Sequence, residues 1–247
     1  MKKWIVVGAI ISACVVMFGG LSIYFVVRMA NKATYKRQTQ KLVVETFGAL
    51  KQTRSGGPQQ SLNAFEQLKQ DTADAADELQ NRPAPSGAEE LKINAVQLID
   101  VASGIADRGI LFFTYIVKTD SIVKTWSAGI KKASASSDPI AKLKEFQSAT
   151  TAAADSLKKL DPPGHLVSFH LQLTGVLDDM SAKLGEMVDA ANAKDTARLQ
   201  AISNDWDRLS TQFGDLSGSI GDRIADDIMT PEDRRKMERL ARKIDNS

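Results

Sequence analysis

Residues 166–224 are LVSFHLQLTGVLDDMSAKLGEMVDAANAKDTARLQAISNDWDRLSTQFGDLSGSIGDRI, and their apolar side chains recur at steps of three and four. This spacing places them on one face of a helix, first over 166–191 and again over 199–224. Between the two stripes, residues 192–195 read as a short turn that ends on a capping Asp195. Two long helices joined by so short a turn fold back on each other, so the segment predicts an antiparallel helical hairpin.

The same spacing recurs through the rest of the chain and predicts further helices, the first from about Ser61 to Arg82. Most later helices begin with a start signal, in which a capping side chain precedes a proline or pairs with an acid three residues on. These signals are Ser86 with Glu89, Asp138-Pro139, Asp161-Pro162, and Thr230-Pro231 before a last helix to about Ile244. An alternating β pattern is absent from the sequence. We therefore expect an all-α body, an elongated antiparallel helical bundle.

Ahead of this body, 24 residues from Trp4 to Val27 carry no charged side chain. A helix of that length would reach roughly 36 Å, enough to cross a hydrocarbon core of about 30 Å with some tilt. A cleaved secretory signal has a shorter apolar region, of about 7 to 15 residues. We therefore expect a single N-terminal transmembrane helix whose ends are Trp4 and Val27.

The only cysteine, Cys14, offers another interpretation of this run, because Ile11-Ser-Ala-Cys14 resembles the lipobox of bacterial lipoproteins. In that family the cysteine is lipidated and a polar tether follows it, whereas this chain stays apolar to Val27. A small side chain buried in a spanning helix is the favoured interpretation. The body, which has no cysteine, holds neither a disulfide nor a thiolate metal site.

Basic residues follow the apolar run directly. We expect Arg28, Lys32, Lys36 and Arg37 to contact anionic headgroups, at about 1 kcal/mol per residue near the surface. By the positive-inside rule alone, the larger number of basic residues on this side of the run places the body in the cytoplasm. The very short Met-Lys-Lys head is instead typical of a signal-anchor whose body is exported, and long domains translocate largely regardless of charge. The favoured prediction is a single-pass protein of the bacterial inner membrane with an extracytoplasmic bundle; the cytoplasmic orientation is the alternative.

The charge distribution divides the chain and excludes one class of partner. The predicted segments are the head and anchor (1–27), a basic juxtamembrane helix and linker (28–60), the bundle (61–229) and an amphipathic C-terminal helix (230–247). Basic charge concentrates in the second segment, while the whole chain has a formal net charge of only +2. A broad basic face is therefore not expected, and nucleic acid is an unsuitable partner.

Motifs that carry chemistry are missing from the sequence. It contains no nucleophile elbow, no Walker or dinucleotide-binding loop, no zinc-protease motif and no EF-hand loop. The two histidines, His165 and His170, are five residues apart, about 140° around a helix, so they do not share a face as a metal pair would. The sequence predicts no enzyme, no cofactor and no metal site.

An aromatic run over 109–117 is apolar on every side of the predicted helix. It is too short to span a membrane, so a helix buried within the bundle is the simpler interpretation. The alternative is an apolar pocket or partner patch formed by Phe112, Phe113, Tyr115 and Trp126.

The segment Leu157-Lys-Lys-Leu160-Asp161-Pro162-Pro163, followed by His170, a long apolar helix and Ala190 to Asp195, resembles a hairpin pattern of uncharacterised exported or membrane-anchored bacterial proteins. The resemblance covers about 70 residues and implies an extracytoplasmic helical bundle with no known catalytic residues. We expect a non-catalytic scaffold or protein-interaction module of the cell envelope that binds the lipid bilayer and a protein partner or a second copy of itself. The alternative is a sensory bundle that binds a small ligand or lipid and works with a partner protein.

Overall fold

The computed structural model describes residues 34–46, 57–85 and 87–246, with the backbone alone over 221–227. The predicted anchor, from Trp4 to Val27, lies outside these ranges, as do Arg28 and Lys32. Among the described helices, none combines the length and the apolar character that a membrane span needs.

The described elements are all helical, which confirms the predicted all-α class, and no strand occurs in these ranges. A short 3₁₀ turn, Gly164–Leu166, precedes the fifth helix. The helices are α1 (Thr34–Thr46), α2 (Pro58–Asn81), α3 (Glu89–Ser134), α4 (Pro139–Lys158), α5 (Val167–Ala193), α6 (Thr196–Ile228) and α7 (Pro231–Asn246).

Three of the predicted helix starts are confirmed by their hydrogen bonds. The Asp138 carboxylate accepts from the backbone N–H of Ile140 at 2.9 Å, with Pro139 as the first residue of α4. The Asp195 carboxylate accepts from the N–H of Arg198 at 3.0 Å at the start of α6. At the start of α7, Thr230 and Asp233 cap each other reciprocally, at 3.0 and 3.1 Å. Each side chain satisfies a backbone donor that has no partner within its own helix.

Of the two remaining start signals, Ser86 lies outside the described residues, and Asp161-Pro162 was wrong: α5 begins at Val167, five residues after Pro162. A residue that precedes proline is pushed out of the helical region, so Pro163 prevents Pro162 from opening a helix. The chain instead makes the 3₁₀ turn, closed by the N–H of Leu166 donating to the Pro163 carbonyl at 2.7 Å.

The described residues divide into two compact units. The first unit contains α1, α2, the part of α3 up to Thr114, and α7. Within it, α2 and α3 are antiparallel: the Lys69 ammonium lies 2.8 Å from the Asp107 carboxylate, and that of Lys92 lies 3.0 Å from the Arg82 carbonyl oxygen. Helical spacing predicts which face is buried but not which helices pair, so the division was not visible in the sequence.

The second unit spans Tyr115–Ile220 and contains the end of α3, α4, α5 and most of α6. Helices α4 and α5 are antiparallel, since Thr151 lies 2.6 Å from Ser181 and Lys158 lies 2.7 Å from Asp178. Lys183 on α5 lies 3.4 Å from Asp205 on α6, which puts these two helices side by side as the hairpin prediction required.

Candidate functional site

A groove of about 270 Å³ lies between α3 and α4 in the second unit. Its volume falls just below the roughly 300 to 1,000 Å³ of typical ligand pockets. The lining combines two larger apolar side chains with small ones: Ile122 and Trp126, then Ser121, Thr125, Gly129, Ala149, Ala152, Ala153 and Ser156.

The groove exists because small residues face each other across the two helices. A Cβ added to Gly129 would lie only 2.9 Å from the Cβ of Ala149, so the helices approach closely at that point. Alanine and serine at 152, 153 and 156 leave space that larger side chains would fill. Any larger residue on α4 at these positions would reduce the groove.

Trp126 forms a fixed wall of the groove. Its indole N–H donates to the Thr150 hydroxyl at 3.1 Å, and that hydroxyl donates to the Phe146 carbonyl at 2.8 Å. The ring also packs edge to face on Phe213, with centroids 5.1 Å apart and planes at 65°. Because these contacts hold the indole on two sides, the wall is formed before any ligand arrives.

Two of the three hydroxyls that line the groove serve only as acceptors toward a ligand. The Thr125 hydroxyl donates to the Ser121 carbonyl at 3.0 Å, and the Ser156 hydroxyl donates to the Ala152 carbonyl at 2.7 Å. Both protons are therefore used within their own helices, whereas the oxygens retain lone pairs. None of the lining side chains carries a charge. The groove is suited to an uncharged, mostly apolar ligand with a hydrogen-bonding group.

A second polar feature of this unit is a buried pair between α3 and α5. The Tyr115 hydroxyl lies 3.1 Å from Nδ1 of His170, and the two rings meet edge to face at 5.9 Å. Burial raises the pKa of Tyr115 and lowers the pKa of His170, so both side chains are neutral near pH 7. A neutral imidazole carries one N–H, so the tautomer of His170 decides whether the tyrosine O–H or Nδ1–H is the donor. The pair links two helices.

The structure separates the four aromatic residues of the candidate pocket. Phe112 and Phe113 are fully buried in the first unit, where their rings meet at 5.3 Å, and Tyr115 is 2% exposed in the second. These three belong to the core, but the run is not buried on every side, as the simpler interpretation expected, because Leu111 within it is 59% exposed. Trp126 alone of the four lines the groove.

Of the four residues expected to contact lipid headgroups, the structure describes Lys36 and Arg37, and these two differ in their exposure. Lys36 is 5% exposed, and its ammonium donates to the Asp245 carbonyl at 2.8 Å, so it faces the protein rather than a lipid surface. A lysine stem is long and apolar enough to be buried when its charged end finds an acceptor. Arg37, the next residue, is exposed.

Most of the groove residues were missed by sequence reasoning, which looked for aromatic and titratable side chains. The available signal was the recurrence of small residues at steps of three and four along α4, over 149–156. Such a stripe indicates close helix approach but gives no sign of whether a groove opens beside it.

In the part of the chain that the structure describes, no three His, Cys, Asp or Glu side chains are arranged to hold a metal ion. Comparison of the chain with models of protein families, with curated proteins and with solved structures finds no match.

Proposed function

We propose that this chain is a single-pass membrane protein whose helical units act by binding, as a scaffold or protein-interaction module of the cell envelope. The observation that carries the proposal is the uncharged run from Trp4 to Val27, bounded by lysine and arginine. A chain anchored in this way works beside a bilayer. In the proposal the body is extracytoplasmic, on the grounds of the short basic head.

Binding of a protein partner is favoured by an apolar pair on the surface of the second unit. Val167 and Leu171 are 41% and 63% exposed and lie one turn apart on α5. Neighbouring exposed apolar side chains are a common feature of protein contacts. A Leu171→Glu substitution should reduce chemical crosslinking of the full-length chain to a partner, whereas Gln172→Glu, beside it, should not.

Alkaline extraction of membranes tests the anchor. Each arginine at the centre of a span costs about 2.5 to 3.5 kcal/mol, so V15R/V16R should release the full-length chain into the soluble fraction. The matched control V15L/V16L keeps the run apolar and should stay with the membrane. Release of the unaltered chain would overturn the proposal. Protease added to intact cells tests the orientation, since digestion that requires lysis of the inner membrane would refute an extracytoplasmic body.

A second candidate function is the binding of a small apolar ligand or lipid, and the groove beside Trp126 is the observation that favours it. Ala152→Phe would fill the groove, whereas Ala182→Phe adds the same side chain at an exposed position of α5. Native mass spectrometry of the full-length chain, purified from membranes, should then show a bound molecule that A152F loses and A182F keeps. If the same molecule is bound by all three proteins, the groove is not its site.

A further inference from the structure

The exposed side of α7 is strongly basic. Its side chains Met237, Leu240, Ala241 and Ile244 are buried, which turns the opposite side outward. Five exposed cations lie on that outward side, within an arc of about 120° at 3.6 residues per turn. They are Arg235, Lys236, Arg239, Arg242 and Lys243. We call this set the basic face of α7.

Little negative charge opposes this face. Within the described part of the chain, Lys236, Arg239 and Arg242 form no ion pair. Among the residues of α7, Glu232 is the one carboxylate that falls in the same arc. Like charges held on one side of a rigid helix produce a positive potential that favours an anionic partner.

Contacts near both ends fix α7 in the first unit. Near its start, the Arg108 guanidinium lies 2.5 Å from the Asp233 carboxylate and also donates to the Ile228 carbonyl at 3.0 Å. Near its end, the carbonyl of Asp245 accepts from the buried ammonium of Lys36 at 2.8 Å. The basic face is therefore held by the fold and does not depend on a free C-terminal tail.

The contact between Lys36 and Asp245 joins the end of α7 to a residue that follows the proposed anchor closely in sequence. Lys36 lies in the first turn of α1, which begins at Thr34, seven residues after Val27. Seven residues span at most about 25 Å even when fully extended. The last turns of α7, with Arg239, Arg242 and Lys243, are therefore tethered near the membrane surface if Val27 is where the span ends.

We propose that the basic face of α7 binds the anionic lipid headgroups around the anchor, as a second, electrostatic membrane contact. The inference rests on the proposed function, because the anchor supplies the proximity. The partner that fits is a surface of clustered negative charge, and near a bilayer anionic lipids present such a surface. This contact takes the place of the one expected from Lys36, which is buried.

Headgroup quenching in nanodiscs tests the contact with the full-length chain. The protein carries C14S, which removes its only native cysteine, and a fluorophore on Asn246→Cys, an exposed position in the middle of the arc. The nanodiscs contain phosphatidylcholine alone or with added phosphatidylglycerol, and a trace of lipid with a nitroxide on its headgroup quenches nearby fluorophores. We expect markedly stronger quenching with the anionic lipid, and its loss at high salt, because salt screens exposed charges.

Two triple variants give the test its specificity. R235Q/R239Q/R242Q should lower the quenching in anionic nanodiscs to the level seen with the neutral lipid. The matched control K144Q/K159Q/R198Q removes three exposed cations from the second unit and should leave the quenching unchanged. Circular dichroism checks that both variants fold.

Three outcomes would overturn the inference. The first is equal quenching with both lipids, and the second is undiminished quenching in R235Q/R239Q/R242Q. The third is that this variant loses a crosslink to an acidic protein while its quenching persists, which would make the protein the partner of the basic face. Failure of the anchor looks different, because a chain that does not insert is washed from the nanodisc at alkaline pH and gives no quenching with either lipid.

Discussion

Replacing Gly109 on α3 with alanine adds one methyl group, and two physical effects make opposite predictions for what this does to stability. Alanine is favoured over glycine in a helix interior by about 1 kcal/mol, so Gly109→Ala should stabilise the protein on helix propensity alone. A Cβ at this position would, however, lie 2.5 Å from Cγ and 2.6 Å from Cε1 of Phe65 on α2. Real Cβ atoms essentially never lie within 3.0 Å of a heavy atom, so the ring or the helix must move.

The phenyl ring of Phe65 has little room to give way. It is 5% exposed and stacks on Phe113, with centroids 5.6 Å apart and planes at 22°. Phe113 is itself fully buried against Phe112. Forcing extra volume into a packed core typically costs about 1 to 3 kcal/mol, and a clash with several ring atoms belongs at the upper end. After subtraction of the helix-propensity gain, G109A should destabilise the first unit by about 1 to 2 kcal/mol.

The matched control is Gly104→Ala on the same helix. The nearest atom to its added Cβ is a guanidinium nitrogen of Arg108, at 3.8 Å, so the propensity gain meets no clash. Thermal unfolding of the full-length chain in detergent micelles, followed by far-ultraviolet circular dichroism, compares the two. At roughly 4 to 8 °C per kcal/mol for a unit of this size, G109A should lower Tm by roughly 5 to 15 °C, and G104A should raise it by a few degrees.

A double-mutant cycle isolates the clash. Phe65→Leu removes the aromatic ring, so adding Gly109→Ala in that background should cost little or nothing. The reasoning is refuted if G109A raises Tm as much as G104A does, or if its penalty is the same with leucine at position 65.

Three further predictions use the same measurement. Tyr115→Phe removes the hydrogen-bond partner of a buried ring nitrogen and should cost about 1 to 3 kcal/mol; a change within error would mean that the bond contributes nothing. Burial lowers the pKa of His170 in the folded state, so the contribution of this residue to stability is complete above its pKa in the unfolded chain, about 6.5. That contribution is lost as the pH falls through the lowered pKa of the folded state. The decrease in Tm between about pH 7.5 and 5.5 should therefore be smaller in His170→Gln, and an equal decrease in both proteins would contradict this assignment. Asp233→Ala removes both the cap of α7 and the carboxylate beside Arg108, so it should cost about 2 to 3 kcal/mol, more than the roughly 1 kcal/mol of a typical cap; Glu232→Ala, in the same turn, is the control.

Local signals predicted much of the fold. The caps at Asp138 and Asp195 could be identified from the sequence because a cap acts within three residues. The start proposed at Asp161 was wrong for an equally local reason, since Pro163 keeps Pro162 out of the helical region. In each case the physics that decides the outcome lies within one turn of helix.

The candidate site depended on information that is not local. The burial of Lys36 depends on the Asp245 carbonyl, 209 residues away, and the groove depends on Gly129 lying opposite Ala149. Helical spacing predicts which side of a helix turns inward but not its neighbour. The aromatic residues at 112, 113 and 115 were identified as apolar, yet their division between two cores followed from helix pairing that no local pattern encodes.

The first unit is assembled from both ends of the described chain, with the residues of the second unit between them. During synthesis, the helices before residue 115 therefore emerge well before the C-terminal helix that packs with them. At about 5 to 20 residues per second, Asn246 at the end of α7 follows Thr114 by roughly 7 to 26 s. For that interval the inner faces of the early helices lack their last partner, whereas the second unit, which is made within the same interval, has all its residues before α7 emerges. The unit that is first in sequence is thus the last to be completed, and this is the period in which a nascent chain would most need a chaperone.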